Sequence, residues 1–133
     1  MMPALMRARM EDFGIDFLIA YTSMGLGLIL MDRDEFRQAS CRALNRMLRD
    51  LCQGLEDRIT PAAVIPMYTP AEAIAELDYA VGELSMKAVM IGSNVRRPVA
   101  DGMRDTSGQL VDASWVDTLS VDSLYDYDPV WAK

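Results

Sequence analysis

Three short apolar runs, held apart by helical patterns, constrain this chain more than any other feature of it. "IDFLIAY" (residues 15–21), "ITPAAVIPM" (59–67) and "MKAVMIG" (86–92) are nearly continuous in apolar residues. They are too short for buried helices, and they lack the polar alternation of a strand that is wet on one face. Each reads as a strand covered on both sides, with Pro61 at the beginning of its run because proline cannot donate within a ladder. Strands of this kind that alternate with helices pair in parallel through crossovers, so the expected class is α/β, with about three parallel strands.

The intervening segments carry the helical period. Residues 3–13 alternate apolar and charged positions, and Gly14 follows as a C-terminal cap. After the loop "TSMGLGLILM", a long helix starts at Asp32 with Glu35 near its start. Phe36, Ala39, Ala43, Leu44, Met47, Leu51 and Leu55 form its apolar face. In "TPAEAIAELDYAVGEL", Thr69 caps, Pro70 takes the first turn and Glu72 completes a capping box. Ile74, Leu77, Val81 and Leu84 then make the buried stripe.

Patterning fades after residue 92. Residues 93–127 hold six aspartates and scattered Val and Leu, with room for a short strand in "GQLVDASWV". Asp128 and Pro129 then signal a helix start four residues before the last residue, Lys133. The expected organisation is one domain over 1–133. Residues 1–92 form β/α units, and 93–133 form a long irregular acidic segment ending in that helix start.

With 133 residues, 51% hydrophobic and 25% charged, the composition suits a soluble globular domain. The net charge is −7, and residues 101–133 hold seven acidic against two basic side chains, which leaves −2 for the first hundred. Phosphate-rich partners need a basic face, so neither nucleic acid nor an anionic membrane is expected as a partner. No apolar run approaches the roughly 20 residues that span a bilayer, and the expected location is cytoplasmic. Cys41 and Cys52 share one predicted helix, about 16 Å apart at 1.5 Å per residue, which is beyond disulfide reach.

Ligands of parallel α/β proteins bind at the carboxyl ends of strands, so chemistry is sought after Tyr21, Met67 and Gly92. "GLGL" lacks the remaining residues of a phosphate loop and reads as a plain loop. "SNVRRP" is the better ligand candidate, because Asn94, Arg96 and Arg97 could hold a carboxylate or phosphate; the alternative is that the arginines are solvated or pair with downstream aspartates. Asp112, Asp117, Asp122, Asp126 and Asp128 do not fit an EF-hand spacing and read as a solvated acidic loop. The chain has no histidine, which excludes Ser-His-Asp and Cys-His machinery and the usual catalytic zinc site.

Taken in order, "RMEDFGIDFLIAYTSMGL", "RALNRML", "DRITPAAVIPMYTPAEAIAEL" and "KAVMIGSNVRRP" resemble one region of the amidohydrolase-related family of metal-dependent hydrolases and decarboxylases, of the aminocarboxymuconate-semialdehyde decarboxylase type. The resemblance covers residues 3–98, with an echo at "YDPVWAK". It implies a TIM barrel of which this chain is a part, with the three runs as its second to fourth strands. The family's metal-binding histidines would lie outside the chain, so a divalent metal such as zinc is implied for the whole barrel and no cofactor for these residues. Tyr21, Thr22, Met67 and Asn94 would line the barrel mouth, although Tyr21 and Met67 are equally readable as core. Relatives commonly carry glycine where this chain has Ser85, so a left-handed cap is either strained here or replaced by another helix end.

Three functional expectations follow. The first is a fragment or truncated form of such an enzyme, inactive alone, with open strand edges that favour a homo-oligomer or a complementary chain. The second is a non-catalytic α/β module that holds an anionic ligand or partner through Asn94, Arg96 and Arg97. The third is a chain that supplies strand-end residues to an active site completed by another polypeptide. In each, a small anionic or carboxylate molecule is the expected ligand.

Overall fold

The second apolar run becomes the central strand because it is the one with neighbours on both edges and both faces. The computed structural model describes residues 2–99, 103–104, 106–107, 109–111 and 113–133. β1 (Leu18–Ala20) pairs in parallel with the first half of β2 (Ile59–Ile65), in register Leu18↔Ile59 to Ala20↔Pro61. The second half of β2 pairs in parallel with β3 (Ala88–Ile91), Ala62↔Ala88 to Ile65↔Ile91. Pro61 stands where pairing passes from one neighbour to the other. The strand order β1-β2-β3 follows the chain, as successive β/α units of a barrel do.

Helices cover this sheet. α1 (Met2–Arg9) and a 3-10 turn (Glu11–Phe13) precede β1, α2 (Ser23–Leu28) and α3 (Asp34–Leu51) follow it, and α4 (Pro70–Leu77) runs into a π-helical turn (Asp78–Glu83) before β3. Alternation along β2 divides the core. Ala62 and Val64 pack with Ile29, Cys41, Leu44 and Met90, whereas Ala63 and Ile65 pack with Met67, Ala73, Ala80 and Met86. Ile59 joins Met10 and Cys52 in a third, smaller cluster.

Several local expectations need correction. Residues 23–28 form a helix rather than a loop. Gly25 is required there by close approach, since a Cβ would meet Val64 Cγ2 at 2.5 Å and Met90 Cε at 2.9 Å. α3 is rotated relative to its apolar stripe. It buries Arg37, Cys41, Leu44 and Asn45, while Phe36, Ala39, Ala43, Met47 and Leu51 stay exposed. The reason is polar: Arg37 and Asn45 have partners inside, which a hydrophobic pattern does not register. Thr69 does cap α4, its Oγ1 accepting from Glu72 N at 3.2 Å, but the Glu72 carboxylate turns to Arg37 instead of closing the box. The π-helical turn changes the period after Leu77, and Val81 is left exposed.

Two caps bear on the backbone. Gly14 takes the expected left-handed conformation, φ +64°, and donates to Glu11 O. Ser85 takes the same conformation at φ +57°, so the cap is kept without the glycine.

The segment after β3 is more regular than its patterning suggests. β4 (Val95–Pro98) pairs antiparallel with β7 (Ser114–Asp117), and β5 (Met103–Arg104) with β6 (Leu110–Val111). Gly102, Gly108 and Asp112 lie outside the described residues. α5 (Asp128–Trp131) forms at the expected start signal, though Tyr127 is its N-cap and Asp126 Oδ1 accepts from Asp128 N at 2.9 Å. Val130 anchors α5 in the main core. Among the described residues, no helix is long and apolar enough to cross a membrane.

Candidate functional site

Parallel pairing puts the residues that follow β1, β2 and β3 at one edge of the sheet, and β2 ends there in Pro66-Met67-Tyr68-Thr69. Two buried arginines converge on this end. Arg37, from the first turns of α3, donates through Nε and Nη2 to both oxygens of Glu72 at 2.7 and 2.8 Å, and through Nη2 to Asp34 at 2.7 Å. Arg97, from β4, donates through Nε to Asp117 at 2.9 Å, through Nη1 to Tyr68 O at 2.6 Å and through Nη2 to the Tyr127 hydroxyl at 3.0 Å. Both guanidinium groups lie against the Tyr68 ring, 4.2 and 4.6 Å from its centroid. The Tyr127 hydroxyl in turn donates to Met67 O at 2.7 Å.

The buried charges in this region are paired. Burial alone would lower the pKa of Arg37 and of Arg97, but Glu72 and Asp34 around the first, and Asp117 and Tyr127 around the second, more than reverse it and both are raised. Burial would raise Asp117, but the Leu119 N–H, Arg97 and Ser123 hold its carboxyl below the ordinary value. A second network lies deeper. Asn45 Nδ2 donates to Val64 O at 2.9 Å and to Glu76 Oε1 at 2.8 Å, Asn45 Oδ1 accepts from Val64 N at 2.6 Å, and Arg42 donates to Glu76 at 3.0 Å. Burial pushes Glu76 up despite these contacts. Cys41 is pushed up to about 12, first by burial and then by Glu76 and Glu72, so its thiol stays protonated and inert.

The residues singled out from sequence divide between these surroundings and solvent. Tyr21 is 64% exposed at the end of β1, and Thr22, half-buried, precedes α2. Met67 is buried in the main core. Asn94 is half-buried and donates to Ser93 Oγ at 3.0 Å. Arg96 is exposed on one face of β4, while Arg97 is buried on the other, with each of its three nitrogens engaged. The pairing of Arg97 with a downstream aspartate was one of the two sequence-level alternatives, and it is the arrangement observed.

Sequence reasoning missed the buried networks that Arg37 and Glu72, Asn45 and Glu76, and Asp117 and Tyr127 belong to. One signal was present: residues 37, 41 and 45 recur at four-residue steps beside Leu44 and Leu48, which marks a buried helix face carrying two polar residues.

A catalytic divalent metal does not fit the residues present. There is no histidine in the chain, and among the described residues no three Cys, Asp or Glu side chains come together as a metal would need. The buried carboxylates Glu72, Glu76 and Asp117 are each paired with an arginine.

No protein-family model and no curated protein matches the chain. Solved structures do. A crystal structure of 2,6-dihydroxybenzoate decarboxylase complexed with 2,6-dihydroxybenzoate aligns with a TM-score of 0.63 and 20% identity, over 92% of this chain and 33% of that one. The same values hold for 2,6-dihydroxybenzoate decarboxylase from Rhizobium. The chain thus spans about a third of the length of these TIM-barrel enzymes, and its fold is that of part of such a barrel.

Proposed function

We propose that this chain is part of a metal-dependent hydrolase or decarboxylase of the amidohydrolase-related type, contributing consecutive β/α units and one side of the substrate mouth, and that it is catalytically inactive alone. The observation that carries the reading is the parallel order β1-β2-β3. It superposes over 92% of the chain on a decarboxylase of which it covers only 33%. In this reading Tyr21, Thr22, Met67 and Asn94 shape the pocket for a small carboxylate substrate. Chemistry at a divalent metal such as zinc belongs to histidines supplied by the rest of a barrel.

An anion-holding module built on Asn94, Arg96 and Arg97 is less well supported, because Arg97 is spent on internal partners.

The test uses the purified chain dialysed against zinc and assayed with 2,6-dihydroxybenzoate as the probe carboxylate. The expected result is no retained zinc and no carbon dioxide release above the blank, with metal-dependent activity appearing only when a polypeptide carrying the remaining β/α units is added. Stoichiometric zinc with turnover by the chain alone would overturn the proposal.

A further inference from the structure

β4 and β7 form a two-stranded ribbon that meets the end of the central strand through Val95 in the core and through Arg97, which donates to Tyr68 O. Arg97 lies on the ribbon's buried face, diagonal to Asp117 across the pairing Val95↔Asp117 and Arg97↔Trp115. Asp117 Oδ2 accepts from Arg97 Nε and from Ser123 Oγ, each at 2.9 Å, while Oδ1 accepts from Leu119 N at 2.9 Å. Leu119 is buried in the core and held at φ +61°, a conformation that a leucine adopts only when its surroundings impose it. The chain that leaves this turn returns at Tyr127, whose hydroxyl accepts from Arg97 Nη2 and donates to Met67 O.

Three segments distant in sequence, 66–69, 95–97 and 117–127, are therefore closed by a single guanidinium. Val95, Leu119, Tyr127 and Val130 pack in the same cluster as Ala63, Ile65 and Met67.

We propose that Arg97, Asp117 and Tyr127 form a clasp, and that the docking of the 114–131 segment and the conformation of the β2 end at Met67-Tyr68 are one two-state element. Arg97 is a positioning residue in this unit, fixing the carbonyls of Met67 and Tyr68 rather than meeting a ligand. The use assigned to the clasp, holding one wall of a substrate mouth, rests on the functional reading above. The coupling itself does not.

Hydrogen exchange read by mass spectrometry on the full chain separates the two. Tyr127→Phe removes the bridging hydroxyl and keeps the ring. The expected result is exchange about tenfold faster in peptides spanning 66–73 and, by the same factor, in 113–131, with 59–65 unchanged. Arg97→Lys should speed both regions, because three donors on a single nitrogen do not reach acceptors that Arg97 meets from three separate nitrogens. Faster exchange in 113–131 with 66–73 at the wild-type rate would overturn the clasp, as would uniform acceleration of all peptides in both variants. Failure of the mouth reading would appear instead in the zinc and carboxylate assays, with exchange coupling intact.

Discussion

Asn45 does the work of a missing strand. β1 stops pairing with β2 at Ala20↔Pro61, and beyond that point the N–H and C=O of Val64 face α3, where the Asn45 amide takes both at 2.6 and 2.9 Å. Replacing Asn45 by Leu keeps the branched outline of the side chain and removes these bonds. The N–H and C=O of Val64 and Oε1 of Glu76 are all buried, and each loses its Asn45 partner. At roughly 1–3 kcal/mol for each of the three groups stranded this way, about 6 kcal/mol together, less about 1 kcal/mol returned by the added apolar surface, the net loss is about 5 kcal/mol. With a urea slope of about 1.5 kcal/mol/M for a chain of this size, the midpoint should fall by about 3 M, followed by circular dichroism at 222 nm. Asn45→Asp keeps the acceptor for Val64 N but loses both donations and adds a negative charge beside Glu76. It should be at least as damaging at neutral pH. A stability for Asn45→Leu within 1 kcal/mol of wild type would refute the view that the amide substitutes for strand pairing.

Other perturbations follow from the same geometry. Arg37→Ala and Glu72→Ala each break a buried, bidentate ion pair and should cost about 3–5 kcal/mol, while the double variant should fall short of their sum by about 2 kcal/mol in a urea double-mutant cycle. Ser85→Gly relieves a left-handed serine at φ +57° and should add about 1 kcal/mol, or about 3 °C in Tm by calorimetry. Asp117 is held below its ordinary value of 3.8, so it contributes stability that is complete above that pH and is lost as pH falls through the lowered folded value. Glu76 is raised, so its contribution has the opposite sign, present below 4.5 and lost as pH rises. Acid titration of Asp117→Asn should accordingly lose less stability than wild type between pH 5 and pH 3.

What could be read in the sequence was whatever depends on local pattern. The three apolar runs became the three parallel strands because strands buried on both faces have little freedom in composition. Thr69-Pro70 and Gly14 acted as caps because capping is decided within a few residues. What escaped was set by partners far away in the chain. Phe36, Met47 and Leu51 look like a core face, yet α3 turns them outward so that Arg37 and Asn45 can reach Glu72, Val64 and Glu76. Those partners lie 19 to 35 residues distant, where periodicity carries no information. The 23–28 helix was missed because two glycines disfavour it locally, and Gly25 is tolerated only because α2 lies against Val64 and Met90. The ribbon of β4 and β7 was hidden by short strands with one polar face. Of the site, Arg97 was found for its residue type and its place after a strand, but its engagement with Asp117 and Tyr127 is a tertiary fact.

The outer edges of β1 and β3 pair with no strand among the described residues, and Ile19, Val89 and Ile91 are each about 40% exposed along them. Edges left open in this way favour pairing with further strands, and the most direct measurement is the mass of the purified chain in solution by light scattering after size exclusion, from 1 to 100 μM. The account predicts a mass that rises with concentration above that of one chain, as exposed edges find each other, and that settles at the constant mass of a one-to-one complex when a polypeptide supplying the neighbouring units is added. A single-chain mass constant across that range, with a cooperative unfolding transition, would contradict it, because the three strands would then be complete by themselves.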